Sequence, residues 1–394
     1  MILDWFQFSI VEWILLGALL LVFLVQLFYY LHYYQGLFRK SNLIEKGLVT
    51  FETEKKPVTV IICARDHAAS LAQNLPAILE QDYPEFQVVV VNDASSDDTD
   101  NVLVGLARKY PHLYHTFVPI DVQSVSSKKM AMTIGIKAAK YDVLLFTEPD
   151  CVPKSNQWIS SMMRHFNEKC DIVLGFSAYQ NVKGIFKHLI SYDTLFTAMQ
   201  FMGYSEIGKP YMGLGSNLAY RKELFFKNNG FASHLNLKSG DDDLFIGEVA
   251  NATNTSIEVS PDAKILINSS SIWKQWKDQR INHISTFSYN RPGTRFRTAS
   301  EMLSRFVFYG LTIILLIIGI IQLNIPMMAY AVLLFLIRYY VQIGVMNRSA
   351  KCFDEMRYYF SIPLFDILIP LLNFRFWIYL LFHKENSYTW RVLH

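Results

Sequence analysis

Apolar and polar positions along this chain fall into two regimes. Trp13 to Tyr30 is an almost uncharged apolar run that could cross a bilayer as a slightly short helix, and Val307–Leu323 and Ile325–Val345 supply a second and a third. A fourth run, Ile362–Phe382, is interrupted by Pro363, Asp366, Pro370, Asn373 and Arg375. That pattern fits a broken, re-entrant or interfacial helix and leaves the side of the carboxyl end open. Between Lys55 and about Ser300 no comparable run occurs, so the pattern predicts a soluble domain held to a membrane at both ends.

In the middle region the pattern changes to short apolar blocks alternating with helical spacing. Val58–Cys63 reads as a strand that exits through Ala64-Arg65-Asp66. A helix follows over about Ser70–Gln81 with Ser70 as its cap, ended by Tyr83-Pro84. Val88–Val91 is the next strand, after which Ser95 or Ser96 would cap a helix over about Thr99–Tyr110. Lys128-Lys129 open a helix to about Lys140, and the strand Val143–Phe146 runs into Glu148. Strand, helix, strand, helix predicts an α/β fold with a doubly wound, mostly parallel sheet, and no repeat or low-complexity run divides it.

Composition sharpens the membrane reading. The 394 residues are 52% hydrophobic and only 18% charged, richer in apolar residues than an average soluble domain. Asp4 and Glu12 in place of a basic leader, and no small-residue cleavage site, predict that the first run stays as an anchor. Arg39, Lys40, Lys46, Lys55 and Lys56 follow it and, by the positive-inside rule, place the soluble domain in the cytoplasm; Lys351 and Arg357 put the loop after the third run on the same side. Cys63, Cys151, Cys170 and Cys352 have no paired metal spacing and fit a reducing compartment. The net charge of +3 says little, no nucleic-acid partner is expected, and the basic residues around Arg291–Arg305 suit anionic headgroups of membrane lipids. No Gly-x-x-x-x-Gly-Lys-Ser/Thr follows a strand, which argues against a P-loop phosphotransferase.

The candidate chemistry sits at strand ends. Asn92-Asp93-Ala94-Ser95-Ser96-Asp97-Asp98-Thr99 follows one strand and Glu148-Pro149-Asp150 another, at the carboxyl edge where open α/β sheets bind ligands. Carboxylates gathered there suit a divalent cation and the diphosphate it neutralises, because hard oxygen ligands hold a magnesium-type ion that also takes phosphate oxygens. Asx turns and serine caps explain the Ser and Thr residues without a ligand.

These residues carry a resemblance. Val60-Ile61-Ile62-Cys63-Ala64-Arg65-Asp66, the Asp93 signature, Lys128-Lys129, and Glu148-Pro149-Asp150-Cys151 with Pro153 and Trp158 resemble, in order, the motifs of membrane-bound family 2 glycosyltransferases. Gly213-Leu214-Gly215-Ser216-Asn217 and Ser239-Gly240-Asp241-Asp242-Asp243-Leu244 complete the set. The resemblance covers roughly Pro57 to His283 and implies a GT-A, Rossmann-like cytosolic domain. The expected organisation is an anchor over 1–34, the transferase domain over 55–270, an interfacial amphipathic segment over 271–304, membrane or interfacial helices over 305–385 and a tail over 386–394.

The resemblance also implies roles. Asp66 and Asp93 would bind the base and ribose of the donor, Lys128 or Lys129 would steady a phosphate, and Asp150 with Glu148 would ligate Mg2+ or Mn2+ in place of the family's DxD motif. The general base is Asp242 when the acidic run is aligned on Gly240 and Asp241 when it is aligned on Leu244. Gly213 and Gly215 would let the backbone pass close to the acceptor. Gln279 and Arg280 stand near the family's Gln-x-x-Arg-Trp motif and would meet diphosphate or acceptor, although Asn282 and His283 replace its Arg and Trp. A membrane-lying helix anchored by Trp273 and Trp276 is the competing reading of that segment. The implied activity is metal-dependent, inverting transfer of a hexosyl or N-acetylhexosaminyl group from a nucleoside diphosphate sugar, UDP-linked by preference. The acceptor would be a lipid-linked or growing-glycan hydroxyl, and the location the inner (plasma) membrane with several spans. A processive polysaccharide synthase and a catalytically silent nucleotide-sugar-binding scaffold are the alternatives.

Overall fold

The computed structural model describes residues 8–119, 126–180, 184, 186–269 and 271–383; the tail expected over 386–394 lies outside them. The chain enters through α1 (Ile10–Phe28), a π-helical turn (Tyr29–Tyr34) and α2 (Gly36–Glu45). It then alternates β1 (Val58–Ala64), α3 (Ala68–Leu79), β2 (Phe86–Asn92), α4 (Thr99–Lys109), β3 (Leu113–Phe117), α5 (Ser127–Ala138) and β4 (Val143–Thr147). Shorter elements follow: β5 (Cys151–Pro153), α6 (Trp158–Met163), β6 (Ile172–Leu174) and β7 (Ser177–Tyr179), then the long α7 (Phe186–Glu206). After β8 (Leu218–Arg221), α8 (Lys222–Lys227), α9 (Asp243–Val249), β9 (Thr255–Ile257) and β10 (Ile265–Ile267), the chain leaves through α10 (Ile272–Thr286), α11 (Pro292–Ile321), α12 (Ile325–Cys352) and α13 (Ser361–Phe382).

The main sheet has the order β3-β2-β1-β4-β8-β6-β9, with β1 parallel to both β2 and β4. Its centre is built from valine and isoleucine because both faces are covered: Val58, Val60 and Ile62 pack with α3 residues on one side, and Ile61 packs toward α5 and α7 on the other. The sheet turns antiparallel where β8 pairs with β4. A smaller sheet, β5-β10-β7, lies beside the exit of β4.

Two helix starts differ from the expected ones. α3 begins at Ala68, leaving Ser70 inside its first turn without a capping role, and α4 has Asp98 at its cap position with no side-chain cap bond. Ser95 and Ser96 are engaged across the sheet edge instead. Ser95 Oγ accepts from Asp66 N at 2.9 Å, and Ser96 N donates to Asp66 Oδ1 at 2.7 Å.

Among the described residues, four helices are long and apolar enough to cross a membrane. α1, α11 and α12 share a buried apolar seam that includes Leu19, Phe23, Phe308, Leu315, Met327 and Ala331. The fourth, α13, is one unbroken helix with Pro370 inside it, so of the three alternatives its sequence left open the broken helix is not the one formed. Arg338 closes the base of the bundle: its guanidinium donates to Gln26 Oε1 at 2.8 Å and Asp366 Oδ2 at 2.7 Å, and Asp366 Oδ2 also accepts from Gln342 Nε2 at 2.7 Å. Arg305 adds a second cation 3.3 Å from Asp366 Oδ1. α11 starts with Pro292 at its first position and runs unbroken to Ile321, so the boundary expected between 304 and 305 falls inside one helix.

The anchor meets the sheet domain backbone to backbone. A Cβ on Gly203 of α7 would fall 2.4 Å from Tyr33 O, and one on Gly36 would fall 2.9 Å from Gly203 Cα. Only glycine fits at either position.

Candidate functional site

Strand exits from β1, β2 and β4 converge on one edge of the sheet. The first two leave in left-handed turns, Asp66 at φ 56° and Ala94 at φ 51°, which fold the chain back sharply and open a cleft between them. α10 crosses this edge. Two adjoining cavities result, about 450 Å³ and about 920 Å³, which share Arg65, Lys128, Glu148, Gln275 and Asp278 in their walls.

The smaller cavity receives Asp93, Glu148 and Asp150. Ligating atoms of Glu148, Asp150 and Cys151 lie within 4.8 Å of one another. Burial, and after it Asp150, holds the Cys151 thiol protonated well above its ordinary range, so the available hard donors are the two carboxylates, a set that fits a magnesium-type cation. Asp150 is buried, and this burial together with Glu148 raises its carboxyl while the Gln275 amide, bonded to Oδ2, opposes the shift.

The larger cavity receives Asp241, Asp242 and Asp243. They start α9, and Gly240 before them adopts φ 104° with a would-be Cβ 2.7 Å from Leu244, so the turn requires glycine. The three carboxylates have separate environments. Burial would raise Asp241, but the Lys128 ammonium 3.0 Å from Oδ2 outweighs it and keeps the carboxyl below its usual range. Asp242 accepts from Gly215 N and Asp243 N, each at 2.7 Å, and burial reinforced by Asp241 and Asp243 pushes it up to about 8. Asp243 is tied to Thr286 and to Leu244 N and sits at about 6, raised by burial. It therefore joins α9 to α10.

Lys128 links the two cavities, with its Nζ 3.1 Å from Glu148 Oε1 and 3.0 Å from Asp241 Oδ2. Partial desolvation disfavours its charge, yet Asp241, Glu148 and Asp242 together hold it protonated well above the usual lysine range. Lys129 points the other way. Its buried ammonium donates to the carbonyls of His234, Leu237 and Ser239 at 2.6, 2.9 and 2.8 Å, so it fastens the loop leading to Asp241 and does not face the cavities.

Other expected residues divide similarly. Gln279 lines the larger cavity and accepts from Tyr179 at 3.0 Å. Arg280, expected to offer charge to a diphosphate, is committed to Asp193 and Thr197 on α7, one helical position round from Gln279. Trp276 is buried with its indole N–H donated to Asp193 at 2.7 Å, so only Trp273 is partly exposed. Asp66 lines neither cavity; its carboxylate, lowered by the Ser96 N–H bond, braces the two strand exits. Gly213 packs against Leu218, Leu174 and Ile246, whereas Gly215 supplies the N–H that holds Asp242. Arg65, His67, Lys274 and Gln275 also line the smaller cavity. The first two follow from strand exit geometry, which puts the residues flanking Asp66 into the cleft; the α10 pair carries no local signal. His283 lines the larger cavity as a neutral imidazole, pushed down to about 3 by burial and Arg280.

Residues 59–226 match the family described as Glycosyl transferase family 2. The probable glycosyltransferase YdaM of Bacillus subtilis (strain 168) is 25% identical over 215 residues, 52% of this chain and 51% of that protein. The poly-beta-1,6-N-acetyl-D-glucosamine synthase of Staphylococcus epidermidis is 23% identical over 124 residues, 32% of this chain and 28% of the synthase. The chain thus spans only part of these curated relatives, from 28% to 51% of their length. Among solved structures, the mannosyltransferase PcManGT from Pyrobaculum calidifontis, in complex with GDP-Man and Mn2+, has a TM-score of 0.51 at 15% identity, covering 86% of this chain and 98% of that one. That likeness is one of fold.

Proposed function

Because residues 59–226 match glycosyl transferase family 2, we propose that the chain belongs to that family and catalyses inverting transfer of a sugar from a nucleoside diphosphate donor, UDP-linked by preference, to a lipid-linked or growing-glycan hydroxyl. The observation that carries this reading is the pairing of environments across Lys128. On one side is a carboxylate pair suited to a cation; on the other is Asp242, a buried carboxyl of raised proton affinity. Inversion needs a base on the face of the sugar opposite the leaving diphosphate, and a base is most effective with a pKa near the working pH. Asp242 fits better than Asp241, because its raised proton affinity lies nearer the working pH while Asp241 is held below the usual carboxylate range. Gly215 N and Asp243 N orient the Asp242 carboxylate.

Glu148 and Asp150 would hold Mg2+ or Mn2+, which supplies positive charge to the leaving diphosphate. Asp93 would bind the nucleoside, Lys128 would move from its carboxylate partners to the phosphates as the donor enters, and Gln279 would face the acceptor. The catalytic domain would be cytoplasmic at the inner (plasma) membrane. A panel of nucleotide sugars, assayed in nanodiscs for metal-dependent release of nucleoside diphosphate, tests the reading and identifies the donor; no release with any donor would leave a binding scaffold. The similarity to a polysaccharide synthase favours processive polymerisation as a second reading, which product length separates from single transfer.

A further inference from the structure

We infer that α13 lies along the membrane surface instead of crossing it. The chain then crosses three times, through α1, α11 and α12, and the far end of α13 forms the membrane-side lip of the larger cavity.

Both ends of α13 touch the sheet domain. At its start, Ile362 joins the domain core with Phe353 and Tyr358, and Tyr358 Oη donates to Ser191 Oγ of α7 at 2.8 Å. At its end, Phe376 packs edge-on against Trp276 of α10, Leu380 adjoins the same cluster, and Tyr379 lines the cavity that holds Asp241 and Asp242. From Ile362 to Tyr379 the helix advances about 25 Å, most of the thickness of a bilayer's hydrocarbon core. A helix crossing the bilayer could meet one water-soluble domain at both places only if that domain were itself sunk through the membrane.

The other three helices agree. Their shared seam contains no residue of α13. Asp366, near the start of α13, pairs with Arg305 and Arg338, and from these two residues α11 and α12 run on for about 24 and 20 Å to their tips at Ile321 and Ile325. The ionic cluster is therefore at the domain-facing boundary of the bundle, which is where α13 lies.

Lipid is the occupant that the outer face of α13 fits. Phe360, Leu364, Leu371 and Phe374 are 94, 61, 49 and 57% exposed, while Ile362, Phe365, Asp366, Ile369 and Phe376 are buried on the opposite face. α11 and α12 likewise expose apolar residues such as Val307 and Ile337, and exposed apolar faces of this kind mark contact with a partner or a membrane. An acceptor reaching Asp242 past Tyr379 comes from the bilayer side. That consequence rests on the proposed transfer reaction, whereas the position of α13 does not.

Side-specific labelling of the full chain tests the position. Single cysteines at the exposed sites Arg357→Cys and His383→Cys flank α13, Lys109→Cys reports the sheet domain and Leu323→Cys the loop between α11 and α12. With the native cysteines as background, a membrane-impermeant maleimide applied to right-side-out and inverted vesicles should label the first three in one orientation and Leu323→Cys in the other. Tyr359→Cys substitutes if Arg357→Cys fails to fold. Labelling of His383→Cys together with Leu323→Cys would overturn the inference. A nitroxide on Phe374→Cys in nanodiscs should be relaxed strongly by oxygen and weakly by a water-soluble nickel chelate. Shielding from both would mean that protein, not lipid, covers this face, and would equally overturn it.

Discussion

If Asp242 is the base, its environment sets both the size and the pH profile of its effect. Asp242→Asn keeps the shape but leaves one oxygen where two backbone N–H groups, from Gly215 and Asp243, now each find an acceptor at 2.7 Å. One hydrogen bond is lost and an amide N–H is set against a donor, a penalty of about 1–3 kcal/mol in stability, reduced by relief of the repulsion from Asp241 and Asp243. The protein should therefore fold and bind donor nucleotide while turnover falls by about two to four orders of magnitude. In the wild type only the deprotonated carboxyl can accept the acceptor's proton. With the group at about 8, about a tenth is active at pH 7, so kcat/KM should rise nearly tenfold per pH unit and level off above 8. Asp241→Asn removes a negative neighbour and should shift that limb to lower pH. Initial rates of nucleoside diphosphate release across pH, with nucleotide affinity measured calorimetrically on the same preparations, check all of this. Turnover of Asp242→Asn within about tenfold of wild type, or a limb unmoved in Asp241→Asn, would refute the assignment.

Three further expectations follow from the site and the bundle. Asp150→Asn should nearly abolish turnover and weaken donor binding in Mg2+ or Mn2+ while leaving the fold intact; wild-type rates across a metal titration would remove Asp150 from the ligand set. Lys129→Met orphans three buried carbonyls and should cost about 1–3 kcal/mol or more in stability and lower turnover, with nucleotide affinity unchanged by calorimetry; a parallel loss of affinity would return Lys129 to the donor phosphates. Arg338→Met leaves Asp366 with Arg305 as its remaining cation and strips Gln26 Oε1 of its Arg338 donor, so thermal unfolding in detergent should show a loss of about 3–5 kcal/mol, and an unchanged midpoint would contradict the clamp.

Three of the parallel strands and the acidic signatures were legible because each depends on neighbours in sequence. Phe86–Asn92 and Val143–Thr147 announce themselves by apolar runs that stop at polar residues, and Asp93, Glu148 and Asp150 sit at those stops. Lys128 and Lys129 show where that information ends. Adjacent on a helix, they point about 100° apart, one to the carboxylates and one to three carbonyls more than a hundred residues away. Arg280 was misread for a similar reason, since its partner Asp193 lies on α7, a helix whose packing leaves no mark near α10 in the chain. α7 itself has no clean polar face to signal it, because fourteen of its residues are buried between the sheet and the long apolar helices. The three-way contrast among Asp241, Asp242 and Asp243 likewise arises from Lys128, Gly215 and Thr286.

The glycine contact between Gly36 and Gly203 makes the anchor part of the catalytic body. Tyr29, Tyr30, Tyr34 and Leu37 share one core with sheet residues such as Leu144 and Ile172, so a truncated chain starting after Glu45 would gain an open apolar scar in place of a soluble enzyme. The domain cannot swing on a leash. Its carboxylates would stand at a constant height above the headgroups, and that stand-off would act as a ruler. Acceptors whose reactive hydroxyl projects by the right length would be served, while those that are shorter or longer would be passed over without any contact that reads their chemistry.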